Sequence, residues 1–312
     1  MKLSELRSAP AEPVAEEEPV VASEQPTGAA QVVTPSGLGI YYQSGPKRLY
    51  RIFSDPETVK SAVDMWQEVP SASTVLEVLE KGGLSWWGMK VGVQGVATLL
   101  QKCNSPEATD RLLSLLHTDA VDQVVEDLKG QKLTVNHVKG QAADRGTNVH
   151  TALELYAESG VFPDPELYPE NEAGYVRGLV AFLKDTKPEV EHSELMVAST
   201  VGYAGRFDLV ARLQGGQYVS KCYPKRSSIV DVLEPGQRFL LDLKTSKSVY
   251  PSYHLQLAGY EGAMEECGYG TVDQTAVVRV TADGKYELVP GRSTPDQFAS
   301  VLDVYHIVKG LS

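Results

Sequence analysis

At 312 residues with 42% hydrophobic content, the chain has room for one large domain or two ordinary ones around a well-buried core. Its apolar runs fall far short of the roughly 20 residues that span a bilayer, and its start carries Glu and Pro where a signal peptide has a basic and then an apolar block, which points to the cytoplasm. The net charge of −12 weighs against tight non-specific DNA binding, because phosphate affinity comes mainly from Lys and Arg releasing counterions.

From Met1 to about Gly37 the residues are mainly Ala, Pro, Glu, Val, Ser and Gln, without a sustained apolar period, and disorder is expected for residues 1–37. Six Glu against Lys2 and Arg7 place −4 of the charge in residues 1–25; the other −8 implies local basic patches, with bound divalent cations offsetting clustered carboxylates. Residues 38–140 form a second part. Gly39-Ile-Tyr-Tyr-Gln and Arg48-Leu-Tyr-Arg-Ile flank Ser44-Gly-Pro-Lys in the pattern of a hairpin. Capping residues open Ser71 to Leu79, and helix-like apolar spacing runs from Trp86-Trp87 to Leu100 and from Ser105 to Leu116.

In residues 141–312, Thr147 can cap a helix through His150, Leu153, Tyr156 and Ala157, and a second helix from Glu170 to Leu183 follows the Pro-rich loop Phe162 to Pro169. Strand-like stretches follow at Glu189–Ala198, Gly205–Leu213 and Arg238–Thr245, with turns at Gly202 and Gly215-Gly216. A helix from Tyr253 to Glu266 precedes a strand from Thr275 to Thr281, whose Asp283-Gly284 turn leads to Lys285-Tyr-Glu-Leu-Val. The order of helix, three strands, helix and strand predicts an α/β class with a mixed sheet flanked by helices.

The chemistry falls on that core. Asp208, and Asp242 with Lys244 two residues on, are the groups that metal-dependent phosphodiester cleavage needs. Strand alternation puts Asp242 and Lys244 on one face and Phe239, Leu241 and Leu243 on the other. Two Asp from neighbouring strands can hold a hard cation such as magnesium, and Lys244 can hold the attacking water or a phosphorane oxygen. Glu194 begins the strand that pairs with that of Asp208 and can add a ligand or orient water; His150 can supply a nitrogen ligand or act on the water or leaving group. Bland readings compete: each Asp alone is an ordinary salt-bridge residue, and Trp86 and Trp87 are core before they are base-stacking platforms. Cys103, Cys222 and Cys267 form no C-x-x-C pair, so no disulfide framework or zinc site is indicated. No phosphate-binding G-x-x-x-x-G-K-[ST] loop is present, which leaves ATPase activity uncoded.

Gly146-Thr-Asn-Val-His150, Glu194, Gly205-Arg-Phe-Asp208, Asp242-Leu-Lys244 and Gln256-Leu-Ala-Gly-Tyr260 resemble, in type and order, the motifs of RecB-like nucleases of the PD-(D/E)XK superfamily. The resemblance covers about residues 140–290, and Pro70-Ser-Ala-Ser-Thr with Trp86-Trp87 is similar to the leading segment of phage-encoded and CRISPR-associated members. It implies a PD-(D/E)XK restriction-endonuclease-like core, with His150, Asp208 and Asp242 as ligands to magnesium or manganese, the Leu243 backbone carbonyl as a further one, and Lys244 as the catalytic lysine. Gln256 and Tyr260, one helical turn apart, would face DNA.

Two departures stand out. CRISPR-associated relatives commonly hold an iron–sulfur cluster through four cysteines, which this chain lacks, so no cluster is expected. The 33 residues between Asp208 and Asp242 exceed a tight hairpin; inside them Lys221, Lys225 and Arg226, with Tyr223, suit either a DNA-contacting flap or a plain solvated loop. The resemblance implies a deoxyribonuclease, an exonuclease ahead of a structure-specific or restriction-type endonuclease, in phage or prophage recombination, repair or replication. The reading from another class is a nuclease-fold protein that binds DNA, or a recombination or replication partner, without cutting.

Overall fold

The computed structural model describes residues 29–43, 49–53, 67–79, 84–117, 121–215, 217–221 and 228–310. A four-stranded antiparallel sheet comes first, with β1 (Ala29–Val33), β2 (Gly39–Gln43), β3 (Leu49–Phe53) and β4 (Gln67–Val69) paired in chain order. The expected hairpin is there, with Ile40 opposite Ile52 and Tyr42 opposite Tyr50. The disordered tail needs a correction, because Ala29–Val33 pairs with β2 from Ala29↔Gln43 to Val33↔Gly39. A tight turn makes this possible: the Leu38 amide donates to Thr34 Oγ1 at 3.0 Å, and Gly37 takes a φ of 88° that suits only glycine well. Residues 1–28 lie outside the described residues.

Ser71 caps a helix as expected, its Oγ accepting from the Thr74 amide, but α1 (Ala72–Val75) is one turn that tightens into a 3-10 turn at Leu76–Val78. Next come α2 (Leu84–Lys102), α3 (Pro106–Leu116) and an unforeseen α4 (Val121–Gly130), which bury Leu112, Val124 and Leu128 in a small core of their own. The helix carrying His150 also needs correcting. As α5 (Val135–Ser159) it starts at Thr134, whose side chain accepts from the His137 amide. Thr147 is no cap; its hydroxyl donates to the Ala143 carbonyl one turn back, a bond open to a mid-helix threonine. Residues 139–144 are all exposed, so no apolar stripe marks this stretch as helical, and α5 runs unbroken past residue 140, where the sequence suggested a boundary.

Helix α6 (Glu170–Thr186) leads into β5 (Glu189–Ser199), β6 (Tyr203–Leu213), the insertion hairpin β7 (Gln217–Lys221) and β8 (Ser228–Val232), then β9 (Gln237–Lys244), α7 (Pro251–Glu266), β10 (Gln274–Val280), β11 (Tyr286–Pro290) and α8 (Pro295–Lys309). The architecture is mixed α/β, and its five-stranded sheet has the order β11-β10-β9-β6-β5. Strands β5, β6 and β9 are antiparallel, and α7 crosses over to bring β10 parallel to β9. Alternation sorts the strand residues as predicted. Leu209, Phe239, Leu241 and Leu243 pack with Val149 and Leu153 of α5 and Leu179 and Phe182 of α6, whereas Val210, Leu240 and Val277 pack with α7, α8 and the first sheet. Among the described residues no helix is long and apolar enough to cross a membrane.

Helix α6 lies so close to the β10–β11 turn that a Cβ on Gly174 would sit 1.9 Å from the Ala282 carbonyl oxygen. Gly174→Ala is therefore expected to lower the stability read from urea unfolding by about 1–3 kcal/mol. Gly92→Ala, on α2 with nothing within 4 Å of the new methyl, should leave it equal or raise it by up to about 1 kcal/mol. Equal losses from the two substitutions would contradict this packing.

Candidate active site

Strand register builds the site. In β5 and β6, Ser193 pairs with Leu209 and Leu195 with Phe207, which sets Glu194 across from Asp208. In β6 and β9, Val210 pairs with Leu240 and Leu209 with Leu241, so the next step outward sets Asp208 across from Asp242. Three acids thus stand in a row across three strands, at the end where the β6–β9 ladder stops. One contact extends it: the Leu243 amide donates to Asp208 Oδ2 at 2.6 Å.

Helix α5 delivers the fourth group. Val149, Ala152 and Leu153 anchor it in the core, and an ideal Cβ on Gly146 would be 3.9 Å from Thr245 Oγ1, just past the end of β9. His150 Nδ1 then stands 3.3 Å from Asp208 Oδ1 and 3.9 Å from Glu194 Oε1. Glu194 holds a φ of 50°, left-handed backbone that a non-glycine residue rarely adopts, a few residues beyond a register shift in β5 between Val190 and His192. Such strain persists only where the surroundings over-determine it, and functional sites collect it.

Electrostatics divide the row. Burial disfavours charge on His150, but the Asp208 carboxylate outweighs burial and, with Glu194, raises the imidazole to about 10. Burial pushes Asp208 upward too, yet His150, Lys244 and the Leu243 amide together hold it below the ordinary aspartate value. Asp242 goes the other way: burial, with the Asp208 charge, lifts it to about 6 in spite of Lys244. Lys244 Nζ lies 2.7 Å from Asp242 Oδ1; burial alone would lower its pKa, but Asp242 and Asp208 raise it, so the ammonium stays charged. Among the described residues Asp242 Oδ2, which is buried, has no hydrogen-bond partner.

His150, Glu194 and Asp208 offer ligand atoms that all lie within 4.8 Å of one another, a nitrogen-and-oxygen set that suits a divalent cation. Of the expected ligands, His150 and Asp208 are in this group and Glu194 completes it, while Asp242 stands beside it, engaged by Lys244. The contact recorded for Leu243 is through its N–H, to Asp208.

Gln256 Nε2 donates to the Tyr260 hydroxyl at 2.8 Å, one turn along α7 as the spacing predicted. Tyr260 is buried rather than presented to a ligand. Its ring lies against β6 where a Cβ on Gly205 would come within 2.4 Å of Cε1, so glycine there is what lets the tyrosine in. Lys221 ends β7, which runs against β11 at the opposite edge of the sheet from β5; Lys225 and Arg226 lie outside the described residues. Two neighbours of the site escaped the sequence reading. Arg206 Nε meets Glu194 Oε2 at 2.7 Å, and the Tyr253 ring centroid lies 5.1 Å from Lys244 Nζ. The signals were there: Arg206 is two residues before Asp208 on a strand, and Tyr253 three before Gln256 on a helix.

His150 carries a pH dependence with a definite sign. Its folded pKa of about 10 exceeds the ordinary 6.5, so the imidazolium between two carboxylates stabilises the fold fully below pH 6.5, and that contribution disappears as pH rises toward 10. In EDTA, the melting-temperature advantage of the wild type over His150→Gln should shrink steadily from pH 6.5 to pH 10. Parallel profiles for the two proteins would contradict the pairing.

No family model matches the chain, and no curated protein matches it. Among solved structures, the crystal structure of SSO0001 aligns at 17% identity over 43% of this chain and 56% of that one, with a TM-score of 0.25, a likeness too slight to bear on fold or chemistry.

Proposed function

We propose that the chain is a magnesium- or manganese-dependent deoxyribonuclease that hydrolyses phosphodiester bonds, acting from DNA ends as an exonuclease. The observation that carries this reading is the Asp242 carboxylate, 2% exposed, with one oxygen on Lys244 and the other without a hydrogen-bond partner among the described residues, beside the His150, Glu194 and Asp208 group. An unpaired anionic oxygen at that depth is unfavourable, and a nearby cation removes the penalty. Further support comes from the order α5, β5, β6, β9, α7 and β10, with α6 inserted after α5 and the β7–β8 hairpin after β6, which contains the helix, three strands, helix and strand that the PD-(D/E)XK resemblance implies. End-directed action and a setting in recombination, repair or replication rest on that resemblance.

His150, Glu194 and Asp208 would hold the cation, with Asp242 across from Asp208 on the neighbouring strand. When bound, a divalent ion supplies a Lewis acid to the phosphoryl oxygen and lowers the pKa of water. Lys244 contributes as a cation. Kept protonated by Asp242 and Asp208, it is a hydrogen-bond donor for a negative oxygen and a poor proton acceptor. Asp242 holds that ammonium in place, and Tyr253 shields its other side. The Gln256–Tyr260 pair fixes the α7 surface next to the acids.

The test is incubation with end-labelled linear and covalently closed circular DNA in magnesium, manganese or EDTA. Metal-dependent loss of the linear substrate is expected, slowed about 10²–10³-fold by Lys244→Ala and by Asp242→Ala. Cleavage of the circle would make the enzyme an endonuclease, and equal rates for wild type and both variants would overturn the mechanism.

A further inference from the structure

Arg206 is a cation at the site with donors to spare. Its Nε forms an ion pair with Glu194 Oε2 at 2.7 Å, and among the described residues its guanidinium meets no other acceptor, although its side chain is 36% exposed. The two remaining nitrogens are therefore open while the arginine is tethered through its inner nitrogen. The tether has a cause: Glu194 splits its oxygens between the arginine and His150, in a backbone conformation of φ 50° that fixes where its carboxylate lies. An arginine pinned by Nε presents its terminal nitrogens as a planar fork, the geometry that matches two oxygens of one phosphate group.

We propose that Arg206 is a phosphate-binding residue of the substrate site, its Nε holding Glu194 and its terminal nitrogens taking two non-bridging oxygens of one DNA phosphate. This rests on the nuclease reading and names the group that would counter the acidic row for a polyanionic substrate. It also supplies one of the local basic contacts that a chain of net charge −12 requires to bind DNA. Lys244 lies against Asp242 and His150 against Asp208 and Glu194, and neither carries the planar pair of terminal nitrogens that an arginine offers.

The experiment is fluorescence anisotropy with a fluorescein-labelled linear duplex in magnesium, on a Lys244→Ala background to keep the DNA intact, with Kd followed against salt. Adding Arg206→Gln should raise Kd about tenfold and flatten the slope of log Kd against log salt by about 0.9, the loss of one phosphate contact. Arg206→Lys keeps the charge and loses the fork, so it should bind several-fold more weakly at an unchanged slope. A slope unaltered by Arg206→Gln overturns the proposal, as does Arg206→Lys binding equal to that of arginine, or no duplex binding at low salt. Flattening of the slope in a protein whose Lys244-intact form cleaves nothing would retire the nuclease reading and leave the phosphate contact standing. Cleavage by that form with unaltered slopes would do the reverse.

Discussion

The hydrogen bond from the Leu243 amide to Asp208 Oδ2 is the constraint on which the rest of the site depends. It ties β6 to β9 beyond the last paired residues, Leu209 and Leu241, where two strands would otherwise be free to splay. With Oδ2 accepting from the backbone, Oδ1 is the oxygen that faces His150. A hydrogen bond from backbone to a carboxylate is stronger than a neutral one and helps to keep Asp208 ionised in a buried position. Geometry and charge state are thus set together, by one amide.

Around that point the acids are matched to cations unequally. Glu194 has Arg206 and shares His150, and Asp208 has His150 and the amide, whereas Asp242 has Lys244 on one oxygen only. A pairing meant purely for stability would not leave a buried carboxylate oxygen unsatisfied, since well-packed apolar groups would do better in its place. The left-handed Glu194 is a second concession of stability at the same spot. Both features lie where strand alternation, the α5 helix and the start of α7 converge, while the packing on either side of the sheet is mainly apolar.

Much of this was legible in the sequence. Period-two alternation located β6 and β9, and with them the shared face of Asp242 and Lys244, because a strand buried on both sides leaves little freedom of register. Where the reading fell short, tertiary context held the information. Strand β1 forms because β2 offers it an edge, and α5 extends to Thr134 through residues with no apolar stripe. Helix α8 was overlooked although its signals are strong: Thr294 and Gln297 form a reciprocal capping box with Pro295 at the first turn, and Phe298, Leu302 and Tyr305 mark its buried face. The grouping of Glu194, rather than Asp242, with His150 and Asp208 follows from a register shift and a strained φ, neither of which residue types announce.

The central claim is that this row of acids is a cation site. Anomalous diffraction from crystals of the protein soaked in manganese tests it most directly. A peak among His150, Glu194 and Asp208, close enough for Asp242 Oδ2 to complete the set, is the result this account predicts. Strong manganese binding elsewhere in the chain, with His150 still seated between Asp208 and Glu194, would contradict it.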